Sequence, residues 1–216
     1  MQISYYGLTC FKIQARPGGR STDEMTFYFD PLDGEEGLRN VYGNAEVIFL
    51  TSQKNKPSLK GIKGDPEIFT LPGEYSYRDM KVIGFEGGSL DEKFIGDRTV
   101  YLIEMEDVSI AHLGKAGSLT KEAIAEMSGC DIVMIPIGGG EAFDAKQAAS
   151  VLRLINPKVI IPMYYALPNV KDSLQEKEVF YKEMGVKDKE IATKLTVKAK
   201  DLSNRNMDII ELEPNR

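Results

Sequence analysis

The chain has 216 residues, of which 42% are hydrophobic and 28% charged, and its formal net charge is −6. This composition is typical of a globular protein with a sizeable core, and it excludes disordered and disulfide-stapled chains. Acidic residues outnumber basic ones by 33 to 27. We therefore expect no nucleic-acid partner, because affinity for phosphates depends on an excess of clustered lysine and arginine.

Strands are predicted throughout the first half of the chain. Short apolar runs bounded by glycine, proline and polar residues are typical of strands. The run at 46–50 is almost continuously apolar, which indicates a strand buried on both faces. The predicted strands cover residues 3–6, 11–15, 25–30, 46–50, 67–71, 80–85, 99–104 and 108–112.

Strands and helices alternate in the second half. Thr120 is a favourable N-cap for one helix. The clearest helix opens at Asp144 and ends before Asn156-Pro157, because its small and apolar residues recur on one face at helical spacing. A third helix is expected after Ser173 and Glu176, which stand in capping-box register. The remaining predicted strands cover 131–136, 159–161, 193–197 and 207–212.

This order of elements predicts one α/β domain over residues 1–216, with two sheets and helices outside them. No linker rich in proline, glycine or serine divides the chain. In layered α/β folds, reactive groups lie on loops just past the carboxyl ends of strands. The loops in question are 30–33, 51–57, 112–115, 138–140 and 163–165.

The sequence favours a cytoplasmic location without a membrane partner. The segment at 1–6 lacks the basic and apolar parts of a signal peptide, and no apolar run approaches the ~20 residues of a membrane helix. Cys10 and Cys130 are far apart in the sequence and form no C-x-x-C motif, so we expect them to stay reduced. His112 is the single histidine, which excludes a metal site built from several imidazoles.

Seven short motifs, taken in order, resemble a known fold family. They are YGLTCFKI at 6–13, DP at 30–31, LPGEY at 71–75, HLG at 112–114, IPIGGG at 135–140, FDAKQAA at 143–149 and IPMYY at 161–165. Together they resemble the metallo-β-lactamase fold, a four-layer αββα sandwich. Within it, the chain is similar to small metal-dependent hydrolases related to ascorbate-phosphate lactonase. The resemblance runs from about residue 3 to about residue 165.

The resemblance also implies where the metal ligands of such a hydrolase stand. The family's metal loop reads T-H-x-H-x-D-H, and the matching segment here, 51–57, reads TSQKNKP. The position of the bridging aspartate and that of the last histidine are changed as well. The residues at the ligand positions are Ser52, Lys54, Lys56, Pro57, Lys115 and Tyr164.

These replacements predict a degenerate member of the family, without metal or any other cofactor. Serine and proline offer no useful metal-binding group, and lysine can bind a metal only after losing its proton. Ammonium groups would also repel a divalent cation. We therefore expect the metal-activated hydroxide of the family to be absent.

Two further residues are expected to be structural. His112 ends a predicted buried strand and does not occupy a ligand position of the family, so a hydrogen-bonded core histidine is the simpler interpretation. A dyad of His112 with Cys10 is the less favoured alternative. Asp30 resembles the family's aspartate that orients ligand histidines. Without such ligands, it is expected to cap a turn with Pro31 or to pair with a lysine.

Three interpretations remain open for Lys54, Lys56, Lys115 and Tyr164. The lysines could point into solvent from a relaxed loop. Their charges could instead replace the metal ions and bind a small anion such as a phosphate, a carboxylate or a nucleotide. Lys115 could also form an internal salt bridge with Asp30 or Asp33.

The sequence as a whole leads us to predict a non-catalytic binding or assembly protein that self-associates, with an unknown partner. The alternative is a hydrolase-like enzyme, or a small-anion binder, that uses a metal-free cleft lined by lysines. In the enzyme alternative, a lysine of depressed pKa or Tyr164 would act as the acid–base group.

Overall fold

The computed structural model describes residues 1–16, 23–34, 37–53, 59–89, 96–187 and 189–215. Its two large sheets pack face to face in the four-layer αββα sandwich that the motifs predict. In chain order, the described strands are β1 (Gln2–Gly7), β2 (Cys10–Ala15), β3 (Met25–Phe29), β4 (Gly43–Asn44), β5 (Val47–Phe49), β6 (Ile62–Lys63), β7 (Glu67–Phe69), β8 (Gly73–Tyr77), β9 (Met80–Gly88), β10 (Arg98–Met105), β11 (Val108–His112), β12 (Ser118–Leu119), β13 (Ile132–Pro136), β14 (Val159–Met163), β15 (Glu190–Ala192), β16 (Leu195–Thr196) and β17 (Asp208–Leu212). The described helices are α1 (Lys121–Glu126), α2 (Ala145–Ile155), α3 (Lys177–Met184) and α4 (Ala199–Leu202).

The topology of the sheets sets the position of the loops. Six described strands form the first sheet in the order β16-β1-β2-β3-β5-β7. The second sheet has the order β12-β9-β10-β11-β13-β14-β17-β15, and β8 pairs with β9. In the first sheet β3 and β5 are parallel neighbours, and in the second sheet β11, β13 and β14 are parallel neighbours. The loops after these strands therefore leave each sheet at one edge.

Aromatic side chains fill the space between the two sheets. Phe49 of β5 lies 5.1 Å from Tyr101 of β10, measured between ring centroids. Phe29 of β3 stacks on the imidazole of His112 at 4.1 Å, with an angle of 3° between the rings. The Tyr101 hydroxyl donates a hydrogen bond to the carbonyl of Leu50 at 3.1 Å. The two sheets thus share one apolar core.

Helix α2 forms as the sequence pattern predicts. Its side facing the core consists of Ala145, Ala148, Ala149, Leu152 and Ile155, all buried. Asp144 caps the amino end in a complete capping box with Gln147, and Asn156 ends the helix in a left-handed conformation before proline. The small residues let the helix approach the sheet closely.

Two local predictions differ from the structure. Helix α3 has Glu176 as its N-cap, without a side-chain capping bond, so the predicted capping box opening at Ser173 is wrong. The motif at 71–75 was not predicted as a strand, yet Gly73 opens β8, which pairs antiparallel with β9. Its alternating pattern was hidden by the turn residues before it. Among the described residues, no helix is long and apolar enough to span a membrane.

Candidate functional site

The candidate site lies where the parallel strands of both sheets end. Asp30 follows β3, Ser52 follows β5, Lys115 follows β11 and Tyr164 follows β14. The loops are tied together by backbone hydrogen bonds: Thr99 N–H donates to Thr51 O at 3.0 Å, and Tyr164 N–H donates to Leu8 O at 3.0 Å. Loops from the two sheets therefore meet over one edge of the sandwich.

Asp30 organises the loop that follows β5. Its carboxylate accepts hydrogen bonds from the Thr51 backbone N–H at 2.7 Å and from the Thr51 hydroxyl at 2.6 Å. Asp30 itself has a φ of 39°, a left-handed conformation that is strained for a residue with a Cβ. The two hydrogen bonds offset this strain. Asp30 thus bonds to Thr51, a partner that was not predicted from the sequence.

Ser52 contacts a carboxylate from a distant loop. Its hydroxyl donates to Oδ2 of Asp97 at 2.7 Å, and the backbone N–H of Gln53 donates to Oδ1 at 2.8 Å. Asp97 is buried, and Ser52 forms an isolated β-bridge with Arg98. The first ligand position of the resembled metal loop is thereby joined to residues 97–98.

A salt-bridge network lies at the centre of the site. The buried guanidinium of Arg98 contacts Oε2 of Glu141 through Nη2 at 2.5 Å. Lys115 Nζ lies 3.3 Å from Oε1 of the same carboxylate. Arg98 Nη1 also lies 3.7 Å from Oδ2 of Asp97. One carboxylate, Glu141, thus joins two cations, one at the start of β10 and one in the loop after β11.

Tyr164 forms one wall of this network. Its ring lies under the Lys115 ammonium, with Nζ 5.0 Å from the ring centroid. Its hydroxyl donates to Oδ2 of Asp172 at 3.4 Å. Burial raises the pKa of Tyr164, and the nearby carboxylates of Glu141 and Asp172 raise it further. Tyr164 therefore stays protonated near neutral pH, where it can donate a hydrogen bond but cannot serve as a base.

His112 is fully buried under the site. Its Nε2 lies 3.0 Å from the carbonyl of Thr9, and Nδ1 accepts a hydrogen bond from the Gly114 N–H at 3.2 Å. The ring is stacked on Phe29 and meets Phe11 edge-on. Burial lowers the pKa of His112 to about 4. Both ring nitrogens are engaged, so the structure places His112 in a packing position.

The structure brings together only part of the predicted set. Ser52, Lys115 and Tyr164 lie around the network, whereas Lys54, Lys56 and Pro57 fall outside the described residues. Asp97, Arg98 and Glu141 were not predicted as site residues from the sequence. The GGGE run at 138–141, just past β13, marks a reactive-loop position and is the one sequence signal that could have indicated Glu141.

This arrangement of two facing sheets, with a polar site at the strand ends, defines a metallo-β-lactamase fold. The family description "Beta-lactamase superfamily domain" matches residues 2–164. The chain therefore belongs to the β-lactamase superfamily. The chain is similar to a crystal structure from Thermotoga maritima that is described as a putative Zn-dependent hydrolase of the metallo-β-lactamase superfamily. The two sequences are 26% identical and the TM-score is 0.77. The match covers 98% of this chain and 99% of the Thermotoga chain.

Curated relatives carry the same functional name. A metal-dependent hydrolase of Carboxydothermus hydrogenoformans is 29% identical over 128 residues, which is 56% of this chain and 56% of the relative. One of Lysinibacillus sphaericus is 24% identical over 200 residues, covering 76% of this chain and 85% of the relative. The alignment with the Carboxydothermus relative thus spans about half of that protein. The same holds for a relative from Pyrococcus horikoshii, of which 48% is aligned.

These findings contradict the prediction of a non-catalytic binding or assembly protein. The relatives and the similar structure are named as hydrolases, which fits the alternative of a hydrolase-like enzyme better. The prediction was wrong because the residues at the family's ligand positions do not by themselves define the chemistry of this edge. Charged groups from β10 and from the loop after β13, Arg98 and Glu141, form an ion pair at the same edge of the sandwich.

The described residues do not fit the metal that the relatives' names imply. Arginine keeps its proton under all ordinary conditions, and an ammonium group cannot bind a metal. At 4 Å and an effective dielectric of 20, a divalent ion would be repelled by each such cation by about 8 kcal/mol. Within the described ranges, no group of three or more His, Cys, Asp or Glu side chains could hold a metal ion.

Proposed function

We propose that this chain is a hydrolase-like enzyme that binds a small anionic substrate through protein cations, without the metal centre of its relatives. One observation carries the proposal. Arg98 and Lys115 converge on a single carboxylate at the carboxyl-end edge, where superfamily folds place their chemistry. The names of the relatives support hydrolysis as the reaction class.

The cations would stabilise negative charge that develops during hydrolysis. Fixed positive groups in a site of low dielectric act more strongly than in water, and they need no reorganisation when the reaction occurs. Arg98 contacts the carboxylate of Asp97, and the Lys115 ammonium lies over the ring of Tyr164. The Tyr164 ring would hold the Lys115 ammonium in place while its hydroxyl stays bonded to Asp172, and a water molecule supplies the nucleophile.

The proposal includes the absence of a resident metal and of any other cofactor. Ser52, Lys115 and Tyr164 stand at positions where the resembled family has metal ligands, and their contacts include the carboxylates of Asp97, Glu141 and Asp172. These are contacts of an ion-pair network. Metal analysis of the purified protein tests this part, and one equivalent of zinc, manganese or iron per chain would refute it.

The enzymatic part is tested with chelated protein. Wild type is assayed against phosphomonoesters, phosphodiesters, lactones and thioesters after treatment with a chelator and removal of metal ions. Hydrolysis that persists in wild type and falls at least about 100-fold in Lys115→Met is expected, because one oxyanion-stabilising group contributes about that much. Activity that requires added metal, or no hydrolysis of any class, would refute the proposal.

Lys158→Met is a matched control for Lys115→Met. Lys158 also forms a salt bridge with a carboxylate, Asp131, at 2.6 Å. It lies just before β14, at the opposite end of that strand from Tyr164. We expect its replacement to leave the activity unchanged. An equal loss in both variants would indicate general destabilisation and would contradict a special role for Lys115.

We further propose that residues 1–216 act as one cytoplasmic, self-associating domain. One apolar core runs through both sheets, which supports the single domain. Self-association rests on analogy with similar folds alone. Light scattering coupled to size-exclusion chromatography measures the oligomeric state, and a monomer at all concentrations would refute it.

A further inference from the structure

We infer that Glu141 is an internal stand-in for a ligand, filling a subsite for an oxyanion between Arg98 and Lys115. This inference rests on the proposed function, because it specifies how that site binds its substrate. Each oxygen of the carboxylate contacts a different cation, Oε2 contacting Arg98 at 2.5 Å and Oε1 contacting Lys115 at 3.3 Å. A phosphate or carboxylate group of a ligand makes the same pair of contacts.

The two cations are held independently of Glu141. The Arg98 side chain is buried and also contacts Asp97, at 3.7 Å. Lys115 is positioned over the ring of Tyr164. When the glutamate side chain rotates away, both positive charges therefore remain where they are. Such prearranged charges bind an incoming anion with little cost of ordering.

The Glu141 side chain is placed so that it can rotate out of the subsite between the two cations. Its side chain is 16% exposed, whereas that of Arg98 is 1% exposed, so the carboxylate lies on the solvent side of the pair. The loop before it has Gly139 and Gly140 at φ values of 76° and 70°. A Cβ added at Gly140 would meet no atom within 4 Å, so space is open beside this turn.

The loop is anchored on both sides of this short segment. Gly139 N–H donates to Phe143 O at 3.0 Å, and Phe143 N–H donates to Ala116 O at 2.9 Å. The movement can thus be confined to the Glu141 side chain. Ligand and glutamate compete for the same cations, so Glu141 lowers the affinity for an anion and acts as a built-in competitor.

The test compares the binding of inorganic phosphate to wild type and to Glu141→Gln by isothermal titration calorimetry at pH 7.5. Glutamine keeps the size of the side chain but removes the competing charge. We expect phosphate to bind Glu141→Gln at least about tenfold more tightly than wild type, which is about 1.4 kcal/mol, because the competing carboxylate is gone and both cations can contact the anion. The double variant Glu141→Gln/Lys115→Met should lose this gain. Equal affinity in wild type and Glu141→Gln would overturn the inference.

A control and a second readout keep the test decisive. Glu190 accepts from Arg205 at the surface, so Glu190→Gln removes a matched Arg–Glu pair and should bind phosphate as wild type does. If Glu141→Gln is less stable, phosphate should raise its melting temperature by more than that of wild type. An equal rise would contradict the subsite. Acetate in place of phosphate distinguishes a carboxylate ligand from a phosphate ligand.

Failure of this inference is separate from failure of the proposed function. Phosphate binding is measured without turnover, so tighter binding by Glu141→Gln without any hydrolysis supports the subsite and refutes the enzyme. Hydrolysis that depends on Lys115, without a gain in phosphate affinity, supports the enzyme and refutes the role of Glu141 as a competitor.

Discussion

Acidification should destabilise the fold through His112, the single histidine of the chain. Its imidazole is fully buried, and burial lowers its pKa from the ordinary 6.5 to about 4. In the unfolded chain the same group takes up a proton near pH 6.5. The native state therefore binds fewer protons than the unfolded state between these two values. Stability is fully present above pH 6.5 and decreases as the pH falls toward 4.

The size of the effect follows from the displacement of the pKa. A lowering from 6.5 to about 4 corresponds to a loss of about 3 kcal/mol in the free energy of unfolding once the pH has passed both values. This is a large part of the ~5–15 kcal/mol that stabilises an ordinary domain. At pH 5.5, we expect about 1 kcal/mol of this loss.

Two measurements check the prediction. Urea unfolding between pH 7.5 and 4.5 should show a pH-dependent loss in wild type that is smaller in His112→Gln, which cannot titrate. Because the chain has one histidine, its imidazole also gives a single ¹H–¹³C signal by NMR. In the folded protein, this signal should not move between pH 8 and 5.5. A titration with a midpoint near 6.5 would refute the reasoning.

Three pairs of substitutions test the packing and the site by chemical denaturation. Leu152→Ala, on the buried side of α2, should lower the free energy of unfolding by about 2–5 kcal/mol. Leu154 is 61% exposed on the same helix, so Leu154→Ala should lower it by less than about 0.5 kcal/mol. Equal losses would contradict the packing of α2. Glu141→Ala should lower the free energy of unfolding by about 3 kcal/mol, because it removes the shortest carboxylate contact of the buried Arg98. A double-mutant cycle with Arg98→Met should give a coupling energy above about 1 kcal/mol. Asp30→Ala loses both hydrogen bonds to Thr51 and should lower the free energy of unfolding by about 3 kcal/mol. Asp30→Asn should lower it by less, because asparagine tolerates the left-handed conformation. Equal losses in both Asp30 variants would show that the backbone conformation is irrelevant.

Two residues with strained backbones lie at the same edge of the sandwich as the ion-pair network. Asp30 and Tyr164, which come from different sheets, both have left-handed backbones, with φ values of 39° and 51°. Strained residues concentrate at functional sites, where surrounding contacts hold them in place. At Asp30 the contact is with Thr51, and at Tyr164 it is the N–H bond to Leu8 O. The loops are therefore held in a defined shape around the ion-pair network.

Local signals account for what could be predicted of the fold. The periodicity of α2, its Asp144 cap and its end at Asn156 depend on neighbours within the helix, so one sequence is sufficient to find them. The continuous apolar run at 46–50 likewise indicates a buried strand, which the structure has as β5. Short strands such as β4 and β6 escaped prediction, because two residues carry no detectable period.

The sequence by itself determined the apolar pattern of the sandwich and the loops at its reactive edge, and it predicted that Ser52, Lys115 and Tyr164 stand where the resembled family has metal ligands. Only the tertiary structure decided which charges meet there. Arg98 and Glu141 are 43 residues apart, and Ser52 and Asp97 are 45 apart. Neither pair has a local signature, because side chains distant in sequence become neighbours only when the two sheets pack and their strand ends align.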